Sequence, residues 1–353
     1  MFEIITTIGP SSDNISTLHS LKSAGASSFR INLSHMNKSS LLTYLNLFRD
    51  ASILPSLDTQ GAQLRTNVVT KQDYLDIGDC IYFTSSTLAH DDQDIYFSIN
   101  QPSLDNQLSV GDILKIDFDG LSLKVTDKNP SSDVFKAQVL SGGFIKPNKA
   151  IDIVDKTLIL PPLTDLDISA LGYIKQFAVP EIFMSFCNSS ADIDVLRSHL
   201  HSYVGCDMPR IIAKIETKNA ILNISDICNS ADAILVDRGD LSRELSITSI
   251  PKVVKQVIKL ASSLNTPVLI ATNVLDSMLS GPMPSRAEVS DIYSLIDYGV
   301  SGLVLAAEVA IGKYPVDSVR VIKYLSQYYH AESFGLSTDG LNRSLPQRFQ
   351  YWL

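Results

Sequence analysis

Hydrophobic and polar positions follow a strand-then-helix rhythm in residues 3–57 and again after residue 162. Short apolar runs that close on polar residues are typical of buried parallel strands, and apolar positions three or four apart indicate helices. The predicted strands cover residues 3–8, 27–33, 52–57, 180–186, 210–215, 233–236, 268–271 and 302–306. The predicted helices cover residues 15–24, 41–50, 166–177, 189–203, 217–229, 249–264, 285–298 and 315–329.

Eight strands that are each followed by a helix predict an α/β fold, a (β/α)8 TIM barrel. The alternative, an open doubly wound sheet, lacks its glycine-rich signature after the first strand. Between residues 66 and 160 the helical spacing disappears, and short alternating runs are broken by glycine, aspartate and asparagine. This pattern predicts a small all-β, barrel-like lid domain inserted after the third strand.

The predicted organisation therefore has four parts. Residues 1–65 and 161–330 form the barrel, residues 66–160 form the insert, and residues 331–353 form a C-terminal tail without a clear pattern.

Composition narrows the possible functions. A net charge of −9 argues against a nucleic-acid partner, although a local basic pocket can still bind phosphate. The four cysteines have spacings that suggest neither a disulfide framework nor a zinc site. The first residues lack the features of a signal peptide, and no apolar run is long enough for a membrane span, so we expect a cytoplasmic location.

A barrel of this class keeps its active site at the carboxyl ends of its strands. Polar residues at those ends should therefore converge. They are Arg30, Asn32, Ser34, Asp58, Thr59, Ser185, Lys214, Glu216, Arg238, Asp240, Thr272, Asn273 and Glu308. The set contains no histidine and no thiol, which argues against histidine acid–base chemistry and cysteine nucleophiles.

The cations and carboxylates of the set suit phosphate and metal chemistry. Arg30, Lys214 and Arg238 can neutralise a phosphate. Glu216 and Asp240 follow neighbouring predicted strands, and two carboxylates with substrate oxygens and water are the usual ligands of Mg²⁺. A phosphate clamp next to a metal bridge is what phosphoryl transfer requires.

Four further oxygen donors carry too little charge for a second Mg²⁺ and would suit a monovalent cation such as K⁺. They are Asn32, Ser34, Asp58 and Thr59.

Each assignment has a structural alternative. Lys214 and Glu216 can form an ion pair inside the barrel, Arg30 can be a structural salt-bridge partner, and the four oxygen donors can cap strand ends. Thr272 alone is an ordinary β-branched strand residue, and Glu308 can be purely structural.

The same residues belong to motifs in which the chain resembles pyruvate kinase, from residue 3 to about residue 325. The matching segments, in the family's order, are Thr7-Ile-Gly-Pro10, Arg30-Ile-Asn-Leu-Ser-His35, Leu57-Asp-Thr-Gln-Gly61 with Arg65, Asp119-Gly120 with Lys149, Ser185-Phe186, Lys214-Ile-Glu216, Arg238-Gly-Asp-Leu241, Ala271-Thr272 with Leu275-Asp-Ser-Met278, Pro284-Ser-Arg-Ala-Glu288 with Ser290-Asp291, and Glu308 with Gly312-Lys-Tyr-Pro315.

The resemblance implies phosphoryl transfer from phosphoenolpyruvate to ADP, giving pyruvate and ATP, with Mg²⁺ or Mn²⁺ and K⁺ as cofactors. By this likeness Lys214 and Arg30 stabilise the phosphoryl group, and Thr272 lies where the enolate is protonated. The metal ligands implied are Glu216 and Asp240 for Mg²⁺, and Asn32, Ser34, Asp58 and Thr59 for K⁺.

The resemblance also implies contacts for both substrates. The substrate-binding residues are Ser185, Lys214, Gly239, Asp240 and Thr272, and the nucleotide-binding residues are Arg30, His35, Arg65 and Lys149. The β-insert would close over the nucleotide as a lid, and the family's habit of pairing through barrel helices predicts a homodimer or higher homo-oligomer. Neither a nucleic acid nor a membrane is expected as a partner.

The chain departs from the family pattern at several positions. Gln60 replaces a lysine, Asn188 lies near a replaced arginine, and Asp237 replaces an alanine. Ala306 and Ile311 fall in a segment that has lost a hydroxyl, implied to relay the proton to the enolate, and a lysine. We therefore expect phosphoryl transfer to be retained better than protonation. Because the sequence stops near the start of the family's C-terminal effector domain, we expect no sugar-phosphate regulation.

Three hypotheses follow. The chain is an active pyruvate kinase-like phosphotransferase, a non-catalytic homologue kept for binding or assembly, or a relative that uses the same Mg²⁺ and enolate site on another substrate.

Overall fold

The computed structural model describes residues 2–70, 74–85, 95–100, 104, 106–117, 120–129, 133–156 and 158–333. Its strands are β1 (Glu3–Thr7), β2 (Ser28–Asn32), β3 (Ser56–Asp58), β4 (Leu64–Val69), β5 (Tyr74–Leu75), β6 (Cys80–Thr84), β7 (Ile95–Ile99), β8 (Ile113–Ile116), β9 (Leu121–Lys128), β10 (Val134–Ser141), β11 (Gly143–Phe144), β12 (Ala150–Ile153), β13 (Glu181–Met184), β14 (Arg210–Ile215), β15 (Ala233–Asp237), β16 (Val268–Ala271) and β17 (Gly302–Leu305).

Its α-helices are α1 (Ile15–Ala24), α2 (Lys38–Asp50), α3 (Asp165–Leu171), α4 (Ile174–Phe177), α5 (Ser190–Val204), α6 (Lys218–Leu222), α7 (Ile224–Ser230), α8 (Arg238–Glu244), α9 (Ile250–Ser263), α10 (Arg286–Asp297), α11 (Ala307–Ala310) and α12 (Pro315–Ser333). The chain divides into two units, residues 1–62 with 161–353, and residues 63–160.

The first unit is a closed parallel barrel with the strand order β1-β17-β16-β15-β14-β13-β3-β2. Each neighbouring pair is parallel, and β1 closes the ring by pairing with both β17 and β2. This architecture confirms the predicted (β/α)8 barrel.

The pleat of β14 explains how polar side chains reach the barrel interior. Ile211, Ala213 and Ile215 face outward and belong to the apolar core beneath the helices, whereas Ile212 belongs to the core inside the barrel. Because alternate residues of a strand share a face, Lys214 points into the barrel with Ile212.

A polar network lies at the amino end of the same barrel. Arg210 forms ion pairs with Glu3 at 2.7 Å and Glu181 at 3.1 Å, and Ser28 and Ser56 donate hydrogen bonds to Glu181 Oε2. These groups form ion pairs and hydrogen bonds with one another. The network is therefore structural, and it lies at the opposite end of the barrel from the carboxyl ends of the strands.

The second unit has its own apolar core inside a closed sheet of order β10-β6-β7-β4-β12-β8-β9. Phe83 stacks between Phe97 and Phe135, with ring centroids 5.2 Å and 5.1 Å away. Strands β4 and β12 pair with each other in this sheet.

Several element boundaries differ from those predicted. The helix expected over 166–177 is interrupted after Leu171, where Gly172 and Tyr173 follow α3, and the helix expected over 217–229 is interrupted at Asn223. Two short helices, α8 and α11, lie directly after β15 and β17 and were not predicted, because they are too short for a helical period to show.

The predicted tail lies outside the described residues, except for 331–333 at the end of α12. Within the part of the chain that the structure describes, no helix combines the length and the apolar character needed to cross a membrane.

Candidate active site

Lys214 lies at the centre of a buried ionic group at the carboxyl end of the barrel. Its ammonium is 2.8 Å from Glu216 Oε1 and 3.4 Å from Asp58 Oδ1, and it donates a 3.1 Å hydrogen bond to Ser185 Oγ. These residues come from β14, β3 and the end of β13, which are neighbours in the barrel. Parallel pairing therefore brings together groups that are far apart in sequence.

Asp58 links this lysine to Arg30. Asp58 Oδ2 lies 3.1 Å from Arg30 Nη1, and the guanidinium also donates to Thr7 Oγ1 and lies over the ring of Phe183. Arg30 and Asp58 are only 3% and 1% exposed. Two of the three predicted phosphate-binding cations, Arg30 and Lys214, are thus held on opposite oxygens of one buried carboxylate.

The surrounding charges keep Lys214 protonated. Burial by itself would lower the pKa of Lys214, but the carboxylates of Asp58, Glu216 and Asp237 raise it above its usual value. A lysine that stays charged while it is buried can stabilise negative charge on a phosphoryl group.

Three carboxylates lie together beside Lys214. Oxygens of Glu216, Asp237 and Asp240 are all within 4.8 Å of one another. Glu216 is 1% exposed, and its pKa is raised, first by burial and then by the charges of Asp240 and Asp237, although Lys214 opposes the shift. Hard oxygen donors that repel one another in a buried place fit a divalent cation such as Mg²⁺ or Mn²⁺.

Helix capping explains part of this acidic cluster. Asp237 is the N-cap of α8, with Oδ1 accepting from the Gly239 N–H at 3.1 Å, and Asp240 lies in the first turn. Carboxylates are favourable at both positions. Glu216 comes from another strand and caps nothing there, so capping does not account for the whole cluster.

Thr272 lies against the same carboxylate. Its hydroxyl donates a 2.6 Å hydrogen bond to Asp237 Oδ1, and a Cβ added to Gly239 would lie 2.9 Å from Thr272 Cγ2. The φ angle of Thr272 is +71°, a left-handed conformation that is unusual for a β-branched residue. The predicted protonation site is therefore held in a strained position.

Arg238, which the sequence suggested for phosphate binding, contacts the loop after β16 instead. Its Nε and Nη2 donate to the Thr272 carbonyl at 3.0 and 2.7 Å, Nη2 also donates to the Asn273 carbonyl, and Nη1 pairs with Asp291 at 2.6 Å. The guanidinium is thus used to fix the strained backbone after β16. A sequence pattern could not show this, because the carbonyls belong to another loop.

The structure brings the four predicted K⁺ ligands to neighbouring strand ends, where Asn32 and Asp58 are paired across β2 and β3. Asn32 Oδ1 accepts from the Ser34 N–H at 2.9 Å, and Thr59 Oγ1 accepts from the Ser185 N–H at 2.9 Å. These two contacts cap the strand ends, as the structural alternative predicts. The oxygens keep further lone pairs that suit a monovalent cation. K⁺ binding stays a prediction.

The loop after β3 is positioned by Asp167, which sequence reasoning did not single out. Its carboxylate accepts from the N–H groups of Gln60 at 2.7 Å and Gly61 at 3.1 Å. At Gly61 an added Cβ would lie 2.4 Å from the Ser185 carbonyl oxygen, so only glycine fits. The available signal was the capping pattern of Thr164 followed three residues later by Asp167.

The predicted nucleotide-side residues are distributed over both units. Arg30 and His35 belong to the barrel, with His35 ending a short 3₁₀ helix that follows β2. Arg65 and Lys149 belong to the second unit, where Arg65 donates to the Asn148 carbonyl at 3.3 Å. Lys149 forms an ion pair with Asp117.

Two of the divergent positions have clear local roles. Asn188 bonds to Thr217, the N-cap of α6, and to the Phe186 carbonyl. Ala306 donates its N–H to Glu308, whose buried carboxylate also accepts from the Leu275 N–H, so Glu308 holds two loops together.

Comparisons with family models and with known sequences both match this chain to pyruvate kinases. The family described as "Pyruvate kinase, barrel domain" matches residues 1–319. Plastidial pyruvate kinase 3 of Arabidopsis thaliana is 32% identical over 327 residues, which are 91% of this chain and 56% of that protein. The pyruvate kinase of Lactobacillus delbrueckii subsp. bulgaricus is 32% identical over 329 residues, 91% of this chain and 55% of that protein.

The fold is similar to that of a crystal structure of Cryptosporidium parvum pyruvate kinase. The TM-score is 0.84 at 26% sequence identity, and the match covers 98% of this chain and 74% of that one. By sequence, the chain spans little more than half the length of the curated relatives named above.

Proposed function

The chain belongs to the pyruvate kinase family, and we propose that it transfers the phosphoryl group of phosphoenolpyruvate to ADP, giving pyruvate and ATP. The observation that carries the proposal is the buried group of Arg30, Asp58, Lys214 and Glu216 next to Asp240 at the carboxyl end of the barrel. Phosphoryl transfer needs positioned charge more than covalent chemistry by the protein.

The proposed roles follow from charge and position. Lys214 and Arg30 neutralise the phosphoryl oxygens, since both are buried cations whose charge is worth more away from water. The phosphorus–oxygen bond of phosphoenolpyruvate breaks, a bond to a β-phosphate oxygen of ADP forms, and the enolate takes a proton at its terminal carbon. Asp58 holds the two cations at a fixed separation during this exchange.

Two cation sites complete the proposal. Glu216 and Asp240 would hold Mg²⁺ or Mn²⁺, which would offset the negative charge of the substrate oxygens. The oxygens of Asn32, Ser34, Asp58 and Thr59 would hold K⁺.

Substrate contacts are proposed on the same mouth of the barrel. Ser185, Gly239 and Thr272 would bind phosphoenolpyruvate together with Lys214 and Asp240. His35 would bind ADP together with Arg30, as the resemblance implies. Arg65 and Lys149, which the resemblance also assigns to the nucleotide, belong to the second unit.

A steady-state assay tests the proposal. Purified protein is given phosphoenolpyruvate, ADP and Mg²⁺, with and without K⁺, and pyruvate is measured by coupling to lactate dehydrogenase. We expect turnover that requires Mg²⁺ and rises with K⁺. The absence of pyruvate at high protein concentration, with every cation present, would contradict the proposal.

A second candidate function uses the same site on another phosphoenol or enolate substrate. The observation that favours it is the carboxylate of Asp237 on the Thr272 hydroxyl, because the family has alanine at that position. Calorimetry separates the two candidates: phosphoenolpyruvate that binds without turnover favours the second, and a complete lack of binding contradicts both.

A further inference from the structure

Asp237 is placed inside the barrel by the pleat of β15. Leu235 belongs to the apolar core inside the barrel, and Asp237, two residues later, shares its face and is 8% exposed. Its Oδ1 accepts from Thr272 and from the Gly239 N–H. A carboxylate with two oxygens has further acceptor capacity after these two bonds.

A second observation concerns Glu216, which faces Asp237 within the acidic cluster. Glu216 Oε2 accepts from the Phe186 N–H at 2.6 Å, whereas Oε1 is buried and takes part in no hydrogen bond with the described residues. Its charged neighbour is Lys214 at 2.8 Å, an ion pair that Lys214 shares with Asp58. A buried carboxylate oxygen whose partner is a shared ammonium outside hydrogen-bond geometry is incompletely compensated, and a bound cation would relieve this.

The charge balance points the same way. Oxygens of Glu216, Asp237 and Asp240 lie within 4.8 Å of one another; Lys214 pairs with Glu216, and Arg243 lies 3.6 Å from Asp240. Like charges this close repel strongly when they are shielded from water.

We propose that Asp237 is a third carboxylate ligand of the divalent-cation site formed by Glu216 and Asp240. The inference rests on the metal site of the proposed function and concerns how that site holds its ion. A site with two carboxylates relies on substrate oxygens to complete the shell of Mg²⁺. With the third carboxylate, this chain binds a divalent cation before any phosphorylated substrate arrives.

The alternative role of Asp237 is to orient Thr272 and cap α8 without touching the cation. Two substitutions separate these roles. Asp237→Asn removes the charge but keeps an oxygen that accepts from Thr272 and Gly239, and Thr272→Val removes the hydroxyl but keeps the charge. Asp226→Asn, at an exposed position on α7, is the matched control for loss of one negative charge.

The experiment is titration of the full chain with Mn²⁺ alone, followed by electron paramagnetic resonance and calorimetry. Far-UV circular dichroism confirms that each variant is folded. We expect wild type, T272V and D226N to bind one ion with affinities within about twofold of one another, and D237N to bind about tenfold or more weakly. If D237N does not fold, Asp237→Ser, whose hydroxyl can also cap the helix, replaces it.

Mn²⁺ affinity of D237N within about twofold of wild type overturns the inference, as does a loss in T272V as large as that in D237N. Failure of the proposed function gives a different result. A chain without phosphoenolpyruvate turnover in which D237N still weakens Mn²⁺ binding keeps the inference, whereas normal turnover with unchanged Mn²⁺ affinity in D237N removes the inference alone.

Discussion

Asp58 Oδ2 lies 3.1 Å from Arg30 Nη1, and the two side chains are 1% and 4% exposed. The other oxygen of Asp58 is 3.4 Å from Lys214, so one buried carboxylate spaces both cations of the proposed phosphoryl site. The charge of Asp58 is therefore already compensated by protein, and any bound K⁺ would share it.

Removing the charge of Asp58 should be costly. We expect Asp58→Asn to lower the free energy of unfolding by about 3 kcal/mol, because it leaves a buried cation without its partner. Asp50→Asn breaks the exposed pair with Arg49 and should cost less than about 1 kcal/mol. Urea unfolding of both variants measures the difference, and equal losses would show that the buried pair is not stabilising.

Lys214 should contribute to the rate more than to ADP binding. We expect Lys214→Met to lower kcat at least about 100-fold, with a small change in the KM for ADP, because the charge acts on the transferring group. Lys252→Met, on the exposed face of α9, is the control and should leave kcat unchanged. A K214M variant that keeps more than about a tenth of wild-type kcat would contradict this role.

The pH dependence of stability should report on Glu216. Its pKa is raised from 4.5 to about 8, first by burial and then by Asp240 and Asp237. A carboxyl whose folded pKa is raised stabilises the fold fully below its unfolded pKa, and this contribution is lost as the pH rises through the folded pKa. In metal-free protein, wild type should therefore lose stability relative to Glu216→Gln between these two values. Parallel Tm profiles of the two proteins would contradict the raised pKa.

Arg238 should affect protonation of the product more than phosphoryl transfer. Arg238→Ala frees the carbonyl of Thr272, whose left-handed backbone then lacks its support. We expect deuterium exchange of the pyruvate methyl group in D₂O to slow about tenfold or more, with a smaller loss in ATP formation. Asp291→Asn keeps both bonds to Thr272 and is the matched control. Equal slowing of both reactions in R238A would argue for a general structural role.

The sequence predicts the barrel and the position of its candidate site at the carboxyl ends of the strands. Eight apolar runs each close on polar residues, and parallel strands bring those ends together. Lys214 and Glu216 could be placed on one face from their spacing alone. The split of residues 217–229 at Asn223 could not be predicted, since both halves keep apolar positions at helical spacing.

Contacts between loops were beyond the sequence pattern. The bond from Thr272 to Asp237 joins residues 35 apart, and its existence depends on the register between β15 and β16. The sequence marks Asp237 as a departure from the family pattern but gives no sign of its bond to Thr272. It also gives no sign of the bonds that hold Arg238, because carbonyl partners have no side-chain signal.

The most direct measurement follows the phosphoryl group itself. Phosphoenolpyruvate labelled with ³²P is incubated with ADP, Mg²⁺, K⁺ and wild type, Glu216→Gln or Asp226→Asn. We predict label in the γ-phosphate of ATP with wild type and D226N, at a rate that falls at least about 100-fold in E216Q. Label that stays in phosphoenolpyruvate with wild type, or that moves equally fast with E216Q, would contradict phosphoryl transfer at this site.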